Sequence, residues 1–207
     1  MAINNKQVLG MPKGRVGDVV YRNVNGKTVI SEYVANIEIS QSKDSIRNRS
    51  KFAVCTDFAV AASSIIPINK IWKNSGAPGR SAYTKLIKAN VKLVDDQKPT
   101  PASVITPQDG LPLFLLSVTV NSTSVIVEYK IDRSSNPGLQ PQYTCCLLTY
   151  CFDKRSEKIE IDDDYFNVTA KVDANTPGDV QSVSFNLNDY TKECISIFKK
   201  ARIYFAV

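Results

Sequence analysis

Two β-prone runs of apolar and polar residues lie near the start of the chain, at residues 19–24 and 27–34, and Asn25 and Gly26 join them. The second run alternates less cleanly than the first. An Asn-Gly link between alternating runs predicts a β-hairpin, because both central residues of a type I′ turn need positive φ. The glycine-rich stretch at residues 10–17 comes first, and we expect a loop there. Neither face of the hairpin is wholly apolar, and an isolated hairpin is only marginally stable in water. The hairpin therefore needs a further covering surface.

A helical period replaces the alternation after the hairpin. Apolar residues recur three or four positions apart over residues 46–66, which predicts a long helix. Ser42 or Asp44 is the expected cap, and Pro67 is expected to end the helix. Phe52 lies in this period and is a predicted core anchor, since large aromatic side chains dominate packing energy.

Two shorter helical segments follow. Residues 68–73 predict a helical turn anchored by Trp72, the single tryptophan of the chain. Residues 81–90 predict a second helix capped by Ser81, with Lys85 pointing outward.

The pattern from residue 111 onward is that of β-strands. Seven or eight short β-prone runs, separated by Asp, Asn, Pro and Gly turns, are typical of an immunoglobulin-like sandwich. The predicted fold class is therefore α+β, with an N-terminal β-hairpin plus helices and a C-terminal immunoglobulin-like β-sandwich. The expected strands span residues 113–120, 124–131, 142–152, 158–161, 165–172, 181–187 and 194–207.

Residues 95–110 contain three prolines and no sustained period, and they predict a domain boundary. The predicted domains are residues 1–95, a hairpin-and-helix assembly domain, and residues 111–207, with residues 96–110 as the linker. Charge divides in the same way, with a net charge of +9 before residue 96 and −3 from there on. Such asymmetry favours head-to-tail attraction between copies.

Composition argues against catalysis. The 207 residues include no histidine, the commonest general base and metal ligand. The glycine-rich loop lacks the Gly-Lys-Ser/Thr ending of a phosphate-binding loop, and the acidic run at residues 162–164 lacks the spacing of a calcium loop. We therefore expect no enzymatic activity, no cofactor, no metal and no small-molecule substrate. The five cysteines are expected to be reduced and mostly in the core: Cys55, Cys145, Cys146, Cys151 and Cys194.

Targeting signals are not apparent in the sequence. No apolar run approaches the roughly 20 residues that span a bilayer. The opening MAINNKQVLG lacks the apolar region of a signal peptide. We expect no membrane span and synthesis in the cytoplasm without a signal peptide.

The basic residues of the first part of the chain offer three interpretations. They can pair with acids on a partner protein or contact the phosphates of a nucleic acid, where interleaved tyrosines would stack on bases. A solvated face is the third, non-functional interpretation. The predicted basic patch consists of Arg15, Arg47, Arg49 and Lys51.

The hairpin is the predicted assembly interface, because open strand edges can pair with a neighbouring chain. The residues expected to contact another copy are Val19, Tyr21, Arg22, Lys27, Val29, Ile30 and Tyr33.

A further pattern in the first third of the chain consists of Gly10, Gly14, Val16, Gly17, Val19, Val20, Gly26-Lys27, Arg49, Phe52, Trp72, Tyr83 and Asn90. With these residues the chain resembles a family of proteins of unknown function from Bacteroidetes-type bacteria and their phages. Members open with a glycine-rich basic hairpin and close with a β-sandwich, and the resemblance covers residues 8–94 and the rest by layout. Residues 36–42 depart from the family pattern. By analogy the resemblance implies a non-enzymatic structural protein that self-assembles with its own copies and other virion proteins. The alternative is a nucleic-acid-binding protein that uses the basic N-terminal domain.

Overall fold

The computed structural model of the chain is an α+β protein. It describes residues 2–4, 13–35, 39–107, 113–131, 142–156, 164–173 and 180–207. The chain divides into two compact units, Met1–Ser45 and Ile46–Val207. The strands are β1 (Ala2–Asn4), β2 (Gly14–Val16), β3 (Val19–Val24), β4 (Lys27–Glu32), β5 (Leu113–Val120), β6 (Ser124–Ile131), β7 (Gln142–Lys154), β8 (Asp164–Asp173), β9 (Val180–Asn186) and β10 (Phe198–Ala206). The helices are α1 (Lys43–Ser64), α2 (Ile66–Asn74), α3 (Ala82–Asn90) and α4 (Asp189–Ile197).

The first unit contains a four-stranded antiparallel sheet in the order β1-β4-β3-β2. Asn25 and Gly26 have φ of 50° and 76°, as a type I′ turn requires, so the predicted hairpin is confirmed. The loop expected at residues 10–17 is wrong over Gly14–Val16, which forms β2 and pairs with β3. Gly17, at φ 58°, makes the turn between these strands. Residues 10–12 lie outside the described residues.

Helix α1 begins and ends close to where the sequence predicts. The Ser45 backbone N–H donates to Ser42 Oγ over 3.2 Å, which confirms Ser42 as a cap. The helix ends at Ser64, and Pro67 lies in the first turn of α2, where its missing N–H costs no hydrogen bond. Phe52 is 53% exposed, so its predicted core role is wrong: it lies off the buried stripe that runs from Cys55 to Ala62.

In the described part of the chain, no single helix has the length and apolar character to cross a membrane. The pair α1 and α2 passes that test only when taken together, and it is bent by 104° at the break.

Helix α3 starts with a capping box, in which the Thr84 backbone N–H donates to Ser81 Oγ and the Ser81 N–H donates to Thr84 Oγ1. The expected outward orientation of Lys85 is wrong. Its side chain is buried, and its Nζ donates to three carbonyls at the end of α2. The last carbonyls of a helix have no partner within it, so a cation from a neighbouring helix satisfies them.

The second unit contains two three-stranded antiparallel sheets, ordered β10-β7-β8 and β5-β6-β9. Side chains from both sheets share one buried cluster. Strand β7 is buried on both faces, because Cys145 and Leu147 enter that cluster while Cys146 and Leu148 join the core of the helices. That second core also contains Phe58, Ala62, Trp72, Leu86 and Tyr204. The described elements of the second unit thus form a helical layer and two sheets.

The segment predicted to be a linker is bonded to both the helices and a strand. Trp72 Nε1 donates to Ile105 O over 2.8 Å, and Asn90 exchanges two hydrogen bonds with the backbone of Val104. Tyr204 OH donates to Thr100 O over 2.8 Å. The compact units therefore divide at residues 45 and 46, a position that differs from the boundary expected within residues 96–110.

Most of the strands predicted after residue 111 are present, with small shifts at their ends. The expected strand at 158–161 lies outside the described residues. The expected strand at 194–207 is wrong in its first part, where α4 precedes β10. Asn188 explains the start of this helix, since its Oδ1 accepts from the Thr191 N–H over 2.8 Å.

Candidate assembly surfaces

One face of the N-terminal sheet carries four large apolar side chains together with the polar residues Asn23, Thr28 and Glu32. Directly opposed residues share a face, so the pairs Val16–Val19 and Tyr21–Ile30 place four large side chains together. We call Val16, Val19, Tyr21 and Ile30 the apolar face. Val16 is 69% exposed and the other three are partly exposed. Among the described residues of this unit only Thr28, on the same face, is buried.

The other side of the sheet carries positive charge. We call Arg15, Arg22, Lys27, Val29 and Tyr33 the basic face, since Arg22 pairs with Val29 and Tyr33 follows at the same alternation. The Arg15 guanidinium lies 3.5 Å from the centre of the Tyr33 ring, and its Nε donates to the Gly17 carbonyl over 2.8 Å. These contacts fix the orientation of the guanidinium before any partner binds.

The structure divides the seven predicted interface residues between the two faces. Val19, Tyr21 and Ile30 lie on the apolar face, and the other four lie on the basic face. The expectation of open hairpin edges needs correction, because β2 covers β3 over Val19–Tyr21 and β1 covers β4 over Thr28–Ile30. The faces of the sheet are therefore more exposed to a partner than the edges of the hairpin.

The remaining basic residues lie on α1. Arg47 and Arg49 are exposed and Lys51 is partly exposed. Arg47 and Lys51 are one turn apart on the same side of the helix, whereas Arg49 projects from another side. Arg15 belongs to the first unit, and Arg47, Arg49 and Lys51 belong to the second.

The described residues do not form a candidate metal site. No group of three or more His, Cys, Asp or Glu side chains among them could hold a metal ion. The four cysteines whose side chains are described are buried and form no disulfide. Burial raises the pKa of Cys55 and of Cys145 to about 11 and that of Cys146 to about 12. These thiols stay protonated at neutral pH and are poor nucleophiles.

An apolar surface that the sequence did not predict lies along β5. Its residues Leu115, Val118 and Val120 pair with Tyr129, Val127 and Val125 of β6, which are all buried between the sheets. The three β5 residues share that inward face, yet they are 53%, 36% and 49% exposed.

The gap beside β5 is bounded by β10 on the other sheet. A cavity of ≈ 110 Å³ is lined by Val120 together with Phe198 and Ile203, and one of ≈ 510 Å³ is lined by Leu113 together with Phe205. On the opposite margin of the two sheets, β8 approaches β9. Among the described residues, the sheets are therefore open along the β5–β10 side.

The sequence carries little signal for this exposed surface. The run LFLLSVTV of β5 is almost wholly apolar, as in a strand covered on both faces. Its lack of charge and proline, the residues that usually protect an edge strand, likewise favours a strand that is covered on both sides.

Comparison with known proteins gave no relative. No protein-family model, curated protein or solved structure matches the chain.

Proposed function

We propose that this chain is a non-enzymatic structural protein that assembles with copies of itself into a multi-copy particle or filament. The observation that carries the proposal is the N-terminal sheet, whose apolar face is exposed although it presents four large side chains. Contiguous exposed apolar surface usually marks a site of protein association. A second copy would cover this face and remove Val16, Tyr21 and their neighbours from water.

The distribution of charge supports association between unlike regions of two copies. The first 95 residues carry a net +9 and the remainder a net −3. Arg15, Arg22 and Lys27 lie on the basic face, where an acidic surface of another copy would pair with them. Contacts between unlike surfaces repeat into rings or filaments. A phage virion, in a tail or capsid-associated position, is the particle we propose by analogy with the family resemblance.

We also propose that the strands after residue 111 form an immunoglobulin-like sandwich. The order β5-β6-β9 corresponds to strands A, B and E of that fold, and the order β10-β7-β8 corresponds to F, C and C′. The shared buried cluster of the two sheets supports the same assignment.

Sedimentation velocity over a range of protein concentrations tests self-assembly. Tyr21→Lys places a charge on the apolar face and is expected to weaken association at least tenfold. Val60→Lys is the control, because it adds the same charge outside the N-terminal sheet, on α1, where Val60 is already 57% exposed. A wild-type protein that stays monomeric at every concentration contradicts the proposal.

Binding to nucleic acid is the second candidate function. The specific observation in its favour is the Arg15–Tyr33 contact on the basic face, which places a cation beside an aromatic ring. This function predicts affinity for single-stranded DNA that falls steeply with salt and weakens further in Arg15→Gln. A gel-shift assay at two salt concentrations measures both effects, and absence of binding at low salt removes this candidate.

A further inference from the structure

We propose that β5 is a second assembly surface, at which two copies of the chain pair their β5 strands antiparallel about a twofold axis. This inference rests on the proposed self-assembly and names a contact that the N-terminal sheet does not provide. The occupant of the site is the β5 strand of a second copy. The pairing would join the sheets of two copies into one sheet of six strands.

The first argument is the free edge. Strand β5 is at the end of the order β5-β6-β9 and pairs only with β6 among the described residues. Its second edge therefore presents backbone groups to which another strand can bond. Eight residues are enough for a full ladder of hydrogen bonds.

The second argument is the unusual exposure of the inward face. Leu115, Val118 and Val120 point toward the space between the sheets, as their buried partners on β6 show, but each remains about one-third to one-half exposed. A neighbouring strand at the free edge would extend the sheet over the β5–β10 gap and cover these side chains. Burial of apolar area provides the driving force of the association.

The third argument is self-complementarity. The register of β5 against β6 shifts between Leu115 and Ser117, so the inward residues are Leu113, Leu115, Val118 and Val120. If a twofold axis passes midway between residues 116 and 117, the four inward residues of one copy lie opposite the four inward residues of the other. Leu113 would then lie opposite Val120 of the second copy, and Leu115 opposite Val118. Every inward apolar side chain meets an inward apolar side chain.

The fourth argument concerns charge and selects this edge over the others. Strand β5 has no charged residue, so two copies meet without repulsion. Strand β10 carries Lys199, Lys200 and Arg202, and its pairing with another β10 would bring like charges together. Strands β8 and β9 approach each other at the opposite margin. The edge of β5 is therefore the favourable one for a second copy.

Two different contacts on one chain give the assembly a definite architecture. Pairing through β5 alone closes a dimer, whereas the N-terminal sheet links each dimer to further copies. Loss of the β5 contact should leave only complexes held by the N-terminal sheet, and loss of the N-terminal contact should leave dimers.

The primary experiment is sedimentation velocity of the full chain with one substitution on β5 and one control. Leu115→Lys places a charge on the inward face and should weaken the β5 contact at least tenfold, leaving smaller assemblies. Val180→Lys is the control, since it adds the same charge to β9, at the other edge of the same sheet, where Val180 is 53% exposed. It should change association by less than threefold. The fluorescence of Trp72 verifies that each variant is folded.

A cysteine pair tests the register directly. In the double variant Leu115→Cys/Val118→Cys, each new thiol faces the other residue of the second copy at the separation of a directly opposed pair. Mild oxidation should give a covalent dimer. The control pair Leu115→Cys/Thr119→Cys places the two thiols on opposite faces and should give none. No covalent dimer from the first pair, or equal yields from both pairs, overturns the proposed register and with it the twofold contact.

The outcomes separate this inference from the proposed function. If Tyr21→Lys reduces the assembly while Leu115→Lys leaves its size unchanged, self-assembly stands and the β5 contact is overturned. If Tyr21→Lys leaves a dimer that Leu115→Lys then dissociates, both are supported. If Leu115→Lys alone abolishes association, the β5 contact stands and the role of the N-terminal sheet is overturned. A wild-type monomer at all concentrations overturns both.

Discussion

Lys85 offers a sharp test of how the second unit is held together. Its Nζ donates to Trp72 O, Lys73 O and Ser75 O over 2.9, 3.1 and 2.7 Å. Lys85→Met keeps the length of the side chain and removes all three bonds. Trp72 O retains the Ser75 hydroxyl as a donor, and the other two carbonyls are partly buried and can reach water. We therefore expect the loss of about one charge-assisted hydrogen bond, about 1.5–3 kcal/mol.

Urea unfolding followed by the fluorescence of Trp72 measures this loss. The tryptophan is the single one in the chain and is buried beside the lysine contact, so it reports on the second unit. Lys88→Met is the control, because Lys88 lies on the same helix with its side chain exposed. Its effect should stay within about 0.5 kcal/mol. Equal unfolding midpoints for the wild type and Lys85→Met would show that the lysine does not stabilise the end of α2.

Three further predictions concern backbone conformation and buried thiols. Gly26→Val should destabilise the hairpin by about 1–2 kcal/mol, because a β-branched residue resists φ 76°. Faster amide exchange in β3 and β4 would measure this loss of stability. Gly26→Asn is the control and should behave like the wild type. Gly79→Ala would place a Cβ 3.0 Å from the Lys85 backbone nitrogen at φ +150° and should lower the urea midpoint, whereas Gly76→Ala, with open space around it, should not. Above pH 9 the unfolded chain releases thiol protons that the folded chain keeps up to pH 11 or 12, so stability should fall as pH rises through this window. A urea midpoint that is unchanged between pH 8 and pH 10.5 contradicts the last prediction.

Local features of the fold follow from the sequence because their causes lie within a few residues. Asn25-Gly26 specifies the turn through the φ values it tolerates, and Ser81 specifies the start of α3 through a bond three residues away. The six-residue β3 and eight-residue β6 likewise follow from short apolar runs between turn residues. These elements need no information about the rest of the chain.

Features that depend on distant partners could not be predicted. Lys85 looks like a surface residue in its own helix, and only the end of α2 makes its burial favourable. Phe52 fits the apolar period of α1 and is nevertheless exposed, because the period alone does not set the width of the buried stripe. The exposed inward face of β5 is a property of strand order, which the sequence pattern leaves undetermined.

The candidate assembly surfaces also combine features that the sequence predicts with features that depend on distant residues. The alternation of residues 19–24 predicted which side chains share a face of the hairpin. It did not predict that β1 and β2 cover parts of its edges, since a three-residue strand gives no recognisable pattern. The contact of Arg15 with Tyr33 joins residues 18 positions apart, and it became apparent only from the geometry.

The hydrogen bonds between Asn90 and Val104 have a consequence for the design of truncated forms of the protein. A fragment that stops at residue 95 would lack Ile105, whose carbonyl accepts the hydrogen bond of the Trp72 indole, and would expose the apolar face of the helices to water. A fragment that starts at residue 111 would leave Cys146, Leu148 and Tyr204 equally bare. Both pieces should precipitate on expression. A fragment that starts at Lys43, where α1 begins, keeps these hydrogen bonds and is expected to fold.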